Sequence, residues 1–122
     1  MSEHQIEVPN SWILNLSRID YSLAFTNIQS LLKSPNHPNA IFAVSDVYAV
    51  AAVNAAKSLG YRVPEDISVI GFDNEFVSMM SVPSVTTIKQ PSHKIGYQSA
   101  ELLFEMIETK AIEQKTIIFE TE

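Results

Sequence analysis

The chain reads as an α/β domain with an open, mostly parallel sheet and helices on both faces. Two observations point there. The first is a pair of apolar runs of strand length, Ala40–Val44 and Ile67–Phe72, each followed by small or acidic polar residues. An apolar run without alternation is the pattern of a strand buried on both faces, as in a parallel sheet. The second is that such runs alternate with stretches of helical character. Ligands in sheets of this kind bind just beyond the carboxyl ends of the strands. Ser45, Asp46, Asp73 and Asn74 stand at those ends, where a small polar ligand would be held.

Each element has its own local reason. Trp12-Ile13-Leu14 reads as a short strand or a packed loop. Ser22 is a plausible N-cap for a helix from about Leu23 to Lys33, with Leu23, Ile28, Leu31 and Leu32 as its apolar stripe. Prolines at 35 and 38 end that helix and make 34–39 a loop. After the strand at 40–44, Asp46 or Ser45 caps a helix over about Val47–Leu59. Its five alanines (49, 51, 52, 55, 56) favour helix and allow close packing. Gly60 suits the position just past its end. Beyond the strand at 67–72 come a short apolar helix or turn over Glu75–Ser81 and a β-branched strand over Val85–Lys89. Pro91 fits the first turn of a helix to about Lys110, with Ile95, Leu102, Leu103, Met106 and Ile107 as its buried side. Thr116–Phe119 reads as a last strand.

Composition narrows the function. The chain has 122 residues, one ordinary domain, and is 46% hydrophobic. No apolar run reaches membrane-spanning length. Met1-Ser-Glu-His-Gln lacks the basic start and apolar core of a signal peptide, which favours the cytoplasm. Without cysteine there is no disulfide, thiol catalysis or zinc–thiolate site. The net charge is −6 and no Lys/Arg run is present, so these residues are not expected to engage DNA phosphates themselves.

Little points to catalysis. There is no nucleophile elbow, P-loop or dinucleotide fingerprint, and three glycines do not make a phosphate-cradling loop. No catalytic residue, metal ligand or cofactor is assigned. Asp46 and Thr87 with Lys89 faintly suggest a phospho-receiver, but the acidic pair after a first strand is missing. His4, His37 and His93 lack metal-ligand spacing and read as surface residues. Asp73 can take a ligand hydroxyl or cap the following helix. For Asp46 helix capping outweighs ligand contact, and Ser45 suits either role. Thr86 and Thr87 face opposite sides of their strand. Gln90-Pro91 offers an amide to a ligand or simply turns the chain. Met79-Met80 line a subunit contact or fill the core.

Read in order, these segments resemble the sensor domain of lactose-repressor-type (LacI/GalR) transcriptional regulators. The resemblance rests on Pro38-Asn-Ala-Ile-Phe-Ala43, Asp46, Ala49, Ala56, Gly60, Val63-Pro64, Asp66-Ile-Ser-Val-Ile-Gly-Phe-Asp-Asn74, Pro83, Val85-Thr-Thr-Ile88, Gln90-Pro91 and Gly96. They cover about two-thirds of the chain.

The resemblance implies a type I periplasmic-binding-protein-like architecture, with an effector held between two α/β lobes. Residues 1–90 would be most of the C-terminal lobe. Residues 91–122 would be the helix and strand that cross back into the N-terminal lobe. The chain would then be a fragment of a bacterial regulator, not an enzyme, whose helix-turn-helix DNA-binding region lies outside it. The implied effector is a small molecule, sugar-like, with Asp73, Ser45, Ile19, Asp46 and Gln90 as candidate contacts. Ser45 falls where the family often has Asn, and Ile19 near a position that is often aromatic. Val50, Asn54, Met80 and Ser81 fall on the family's homodimer face. The rival readings are an extracytoplasmic sugar-binding protein of the same fold and a small phosphotransfer enzyme.

Overall fold

A computed structural model describes residues 7–110 and 115–122. A 3₁₀ turn at Asn10–Trp12 is followed by α1 (Tyr21–Leu32), β1 (Ala40–Phe42), α2 (Asp46–Ser58), β2 (Ser68–Asp73), α3 (Phe76–Met80), β3 (Thr86–Lys89) and α4 (Ser92–Thr109). The three strands form one parallel sheet in the order β1-β2-β3. Of the two readings of Trp12-Ile13-Leu14, the structure gives a loop that leaves the 3₁₀ turn, not a strand. The Trp12 indole N–H donates to the Asn36 carbonyl at 3.1 Å, tying this segment to the loop before β1.

Helix α1 begins two residues earlier than expected because Asp20, not Ser22, is its cap: Asp20 Oδ1 accepts the Leu23 N–H at 3.0 Å. Ala24, Ile28 and Leu32 recur every fourth residue and are buried against α2. All five alanines of α2 are fully buried. Two faces of α2 use them. Ala51, Ala52, Ala55 and Ala56 meet α1, while Ala49, Val50 and Val53 pack with Ala43 and Val85. A helix squeezed between a second helix and a sheet needs side chains this small. Among the described residues Leu32, Ile67 and Val53 are the largest apolar side chains completely buried, each contributing about 1.5–3 kcal/mol. Past α2, Gly60 takes φ +86° and its N–H reaches the Lys57 carbonyl at 3.0 Å, ending the helix as anticipated.

The sheet corrects one expectation. Among the described residues its strands are covered on one face only, not on both. Ala43, Gly71 and Val85 face α2 and are buried. On the other face Phe42, Ile70 and Thr86 form one cross-strand row, with Phe42 55% exposed. The Phe42 and Phe72 rings meet edge to face at 6.5 Å on that side. Continuous apolar runs signal that both faces want cover, not what supplies it.

Helix α4 differs in the same way. It buries no residue, and Leu103 and Ile107 of its apolar stripe are more than half exposed. Thr116–Phe119 does not form a strand. Instead Glu122 exchanges both backbone hydrogen bonds with Lys89, at 2.7 and 3.0 Å, and pairs with its ammonium at 2.7 Å. A shallow groove between α4 and residues 115–119, lined by Ile95, Leu102, Ile117 and Phe119, contains none of the candidate ligand residues.

Candidate functional site

The carboxyl ends of β2 and β3 bring Asp73 and Gln90 together. The two strands run side by side with Asp73 opposite Lys89, and the Gln90 side-chain amide donates to Asp73 Oδ1. Both side chains are half-buried. Asp73 does not cap the next helix: α3 starts after Glu75 and has no side-chain cap. Its backbone is unusual. Asp73 has φ 111° and Asn74 φ 56°, two successive non-glycine residues on the left-handed side of the map. Such conformations cost about 1–3 kcal/mol each and persist only where the surroundings hold them.

Asp46 is not at the surface of this site but behind it. It lies in the first turn of α2 and is fully buried. Its Oδ1 accepts the Thr87 hydroxyl at 2.6 Å, and its Oδ2 accepts the Glu75 N–H at 2.6 Å. Thr87 Oγ1 also accepts the Asn74 N–H at 3.2 Å. The positive end of the α2 dipole adds a favourable field for the carboxyl. Ser45, 3% exposed, is the cap of α2, its hydroxyl accepting the Val47 N–H at 3.3 Å. Both residues therefore spend their side chains inside the chain.

Ile19 is 68% exposed and sits between two anchored neighbours. The Arg18 carbonyl accepts the Tyr48 hydroxyl at 2.5 Å, and Asp20 caps α1. Tyr48 belongs to the first turn of α2, so this tether brings Ile19 toward the end of β1. On the candidate dimer face, Met80 is 68% exposed, whereas Val50 is buried within the chain. Asn54 donates to the Tyr21 hydroxyl at 2.9 Å. Met79 is also exposed, so neither methionine fills the core.

The two histidines among the described residues do not converge. His37 is half-buried and its Nε2 lies 2.9 Å from the Tyr61 hydroxyl, His93 is exposed, and His4 lies outside the described residues. Among the described residues no group of His, Asp and Glu is arranged to hold a metal ion, and no helix is long and apolar enough to cross a membrane.

An acidic residue and an amide thus share one rim of a parallel sheet, the carboxyl-end side on which ligands bind in open α/β sheets. Residues 1–122 match the model of the periplasmic binding protein-like domain. The chain belongs to that family. It is 39% identical over 122 residues to the HTH-type transcriptional regulator MalR of Clostridium butyricum, covering all of this chain and 36% of the relative. It is 35% identical over 117 residues to the HTH-type transcriptional repressor PurR of Escherichia coli, covering 96% of this chain and 34% of that protein. Among solved structures, the transcriptional regulator CelR–cellobiose complex superposes with a TM-score of 0.87 at 27% identity, covering 99% of this chain and 37% of that one. The resemblance to LacI-type regulators read from the sequence holds. The chain spans about a third of the length of the curated relatives it matches.

Within this periplasmic binding protein-like domain, the sequence pointed to Asp73 and Gln90, which the fold brings together, but not to the hydrogen bonds behind them. Thr87 was joined to Asp46 only in a faint phospho-receiver pattern, and Tyr48 drew no notice. The available signal was the alternation at Thr86-Thr87. One of the two must face α2, and a buried hydroxyl there needs a polar partner.

Proposed function

We propose that this chain is the effector-sensing part of a cytoplasmic bacterial transcription regulator, and that Asp73 and Gln90 bind a sugar-like small molecule. The observation that carries this reading is the Asp73–Gln90 pair at adjacent strand ends. A carboxylate next to an amide supplies the acceptors and donors that sugar hydroxyls need. The MalR and PurR relatives and the cellobiose complex of CelR support it.

In this reading residues 1–90 form most of one lobe, and residues 91–122 cross to a second lobe that covers the apolar stripe of α4. Ile19 and Ser45 flank the ligand, Ser45 through its cap rather than by direct contact. The chain carries no catalytic group. It pairs with a second copy over the surface around Met80, Ser81 and Asn54. DNA is bound by a separate helix-turn-helix region. Effector binding then favours one arrangement of the dimer and so alters the spacing of its DNA-reading heads.

Titration calorimetry with cellobiose and a panel of other mono- and disaccharides tests the ligand class. Asp73→Ala should lower the affinity for the bound sugar by roughly one to two decades, the loss of a hydrogen bond to a charged group worth roughly 1.5–3 kcal/mol. Equal affinities for the two proteins, or no heat with any sugar, would sink the reading.

A further inference from the structure

The buried carboxyl of Asp46 has no part in ligand contact as described above, yet it is the best-connected polar group near the rim. Its two oxygens hold Thr87 and Glu75, and through Thr87 the Asn74 N–H. The two amides immediately after Asp73 are thus pinned, that of Glu75 by Asp46 and that of Asn74 by Thr87, with Asp73 and Asn74 at φ 111° and φ 56°. Neither residue is glycine, and the helix that follows has no side-chain cap.

We propose that Asp46 and Thr87 are positioning residues that touch no effector and hold the strained turn so that the Asp73 carboxylate faces the bound sugar. This rests on Asp73 being a sugar contact. The network demands this pairing of residue types. A carboxylate accepts at both oxygens, while the threonine hydroxyl accepts from Asn74 and donates to Asp46. An amide at position 46 would turn one acceptor into a donor and leave a buried group without a partner. Valine at position 87 keeps the shape of threonine and removes the relay.

The test compares Thr87→Val with Thr87→Ser in the whole chain, by amide hydrogen exchange of the sugar-free protein and by calorimetry with the saccharide that the wild type binds best. Thr87→Val should speed exchange at Asn74 and Glu75 but not at Val69 or Ile70. It should also weaken sugar binding about ten-fold or more. Thr87→Ser should restore both, an outcome that a loss of methyl packing does not give. Equal sugar affinities for Thr87→Val and Thr87→Ser would overturn the proposal. If Thr87→Val does not fold, the wild type still decides. A through-hydrogen-bond NMR coupling between the Glu75 amide nitrogen and the Asp46 carboxylate carbon is expected, and its absence would also overturn the proposal. Failure of the wild type to bind any saccharide removes the sugar reading and the aiming role with it, while the exchange data separately report whether the clamp exists.

Discussion

The room a side chain would need at Gly71 is taken by the carboxylate of Asp46: a Cβ there would lie 2.2 Å from Oδ1. The glycine is required by close approach rather than by backbone angle. Ala49 Cβ at 3.2 Å and Val85 Cγ1 at 3.3 Å close the remaining sides.

Gly71→Ala should therefore destabilise the fold by about 1–3 kcal/mol, the usual cost of overpacking a dense core. Urea unfolding followed by circular dichroism measures it. A midpoint equal to that of the wild type would show that Asp46 can move aside freely.

Ser45→Ala separates helix capping from ligand contact. With its hydroxyl spent on the Val47 N–H, the substitution should cost about 1 kcal/mol of stability and leave sugar affinity unchanged. A large loss of affinity at unchanged stability would reverse the assignment.

Asp66 gives a pH signature. The Arg62 guanidinium bonds its carboxyl at 2.7 and 2.9 Å and the Arg62 backbone N–H at 2.8 Å, which hold it at about 2 instead of the ordinary 3.8. A depressed carboxyl stabilises the folded state fully above its ordinary value. That contribution is lost as pH falls from 3.8 toward about 2. Melting curves across that window should be less steeply pH-dependent in Arg62→Ala, and the Asp66 carboxyl should titrate nearer its ordinary value by NMR.

Met80→Lys examines the surface proposed for pairing with a second copy. A charge at this exposed position should shift sedimentation toward the monomer at a fixed concentration. An unchanged distribution would place the contact elsewhere.

The strands and helices of the first ninety residues were legible because their signals are local. Alanine density marks α2, Gly60 ends it, and the prolines at 35 and 38 bound the loop before β1. Cap choice was less so. Asp20 and Ser22 are both good caps two residues apart, and sequence alone does not rank them. The strand-end rule, which needs only strand direction, put Asp73 on the rim, whereas Gln90 beside it was read as either an amide for a ligand or a turn of the chain. Asp46 was harder. Its partners Glu75 and Thr87 lie 29 and 41 residues away, so local reading sees only the helix start. The stripe of α4 shows the limit from the other side. Amphipathic spacing says that a face seeks cover without naming the surface that meets it.

Trp12 is the chain's one tryptophan, and its indole is fastened to the Asn36 carbonyl in the loop that enters β1. That loop is at the amino end of the strand, across the sheet from the Asp73–Gln90 rim. Intrinsic emission will therefore follow the seating of the N-terminal segment on this loop. Saccharide occupancy at the opposite rim should leave the fluorophore's surroundings untouched, so a ligand screen read out by tryptophan fluorescence would report silence even when every site is filled.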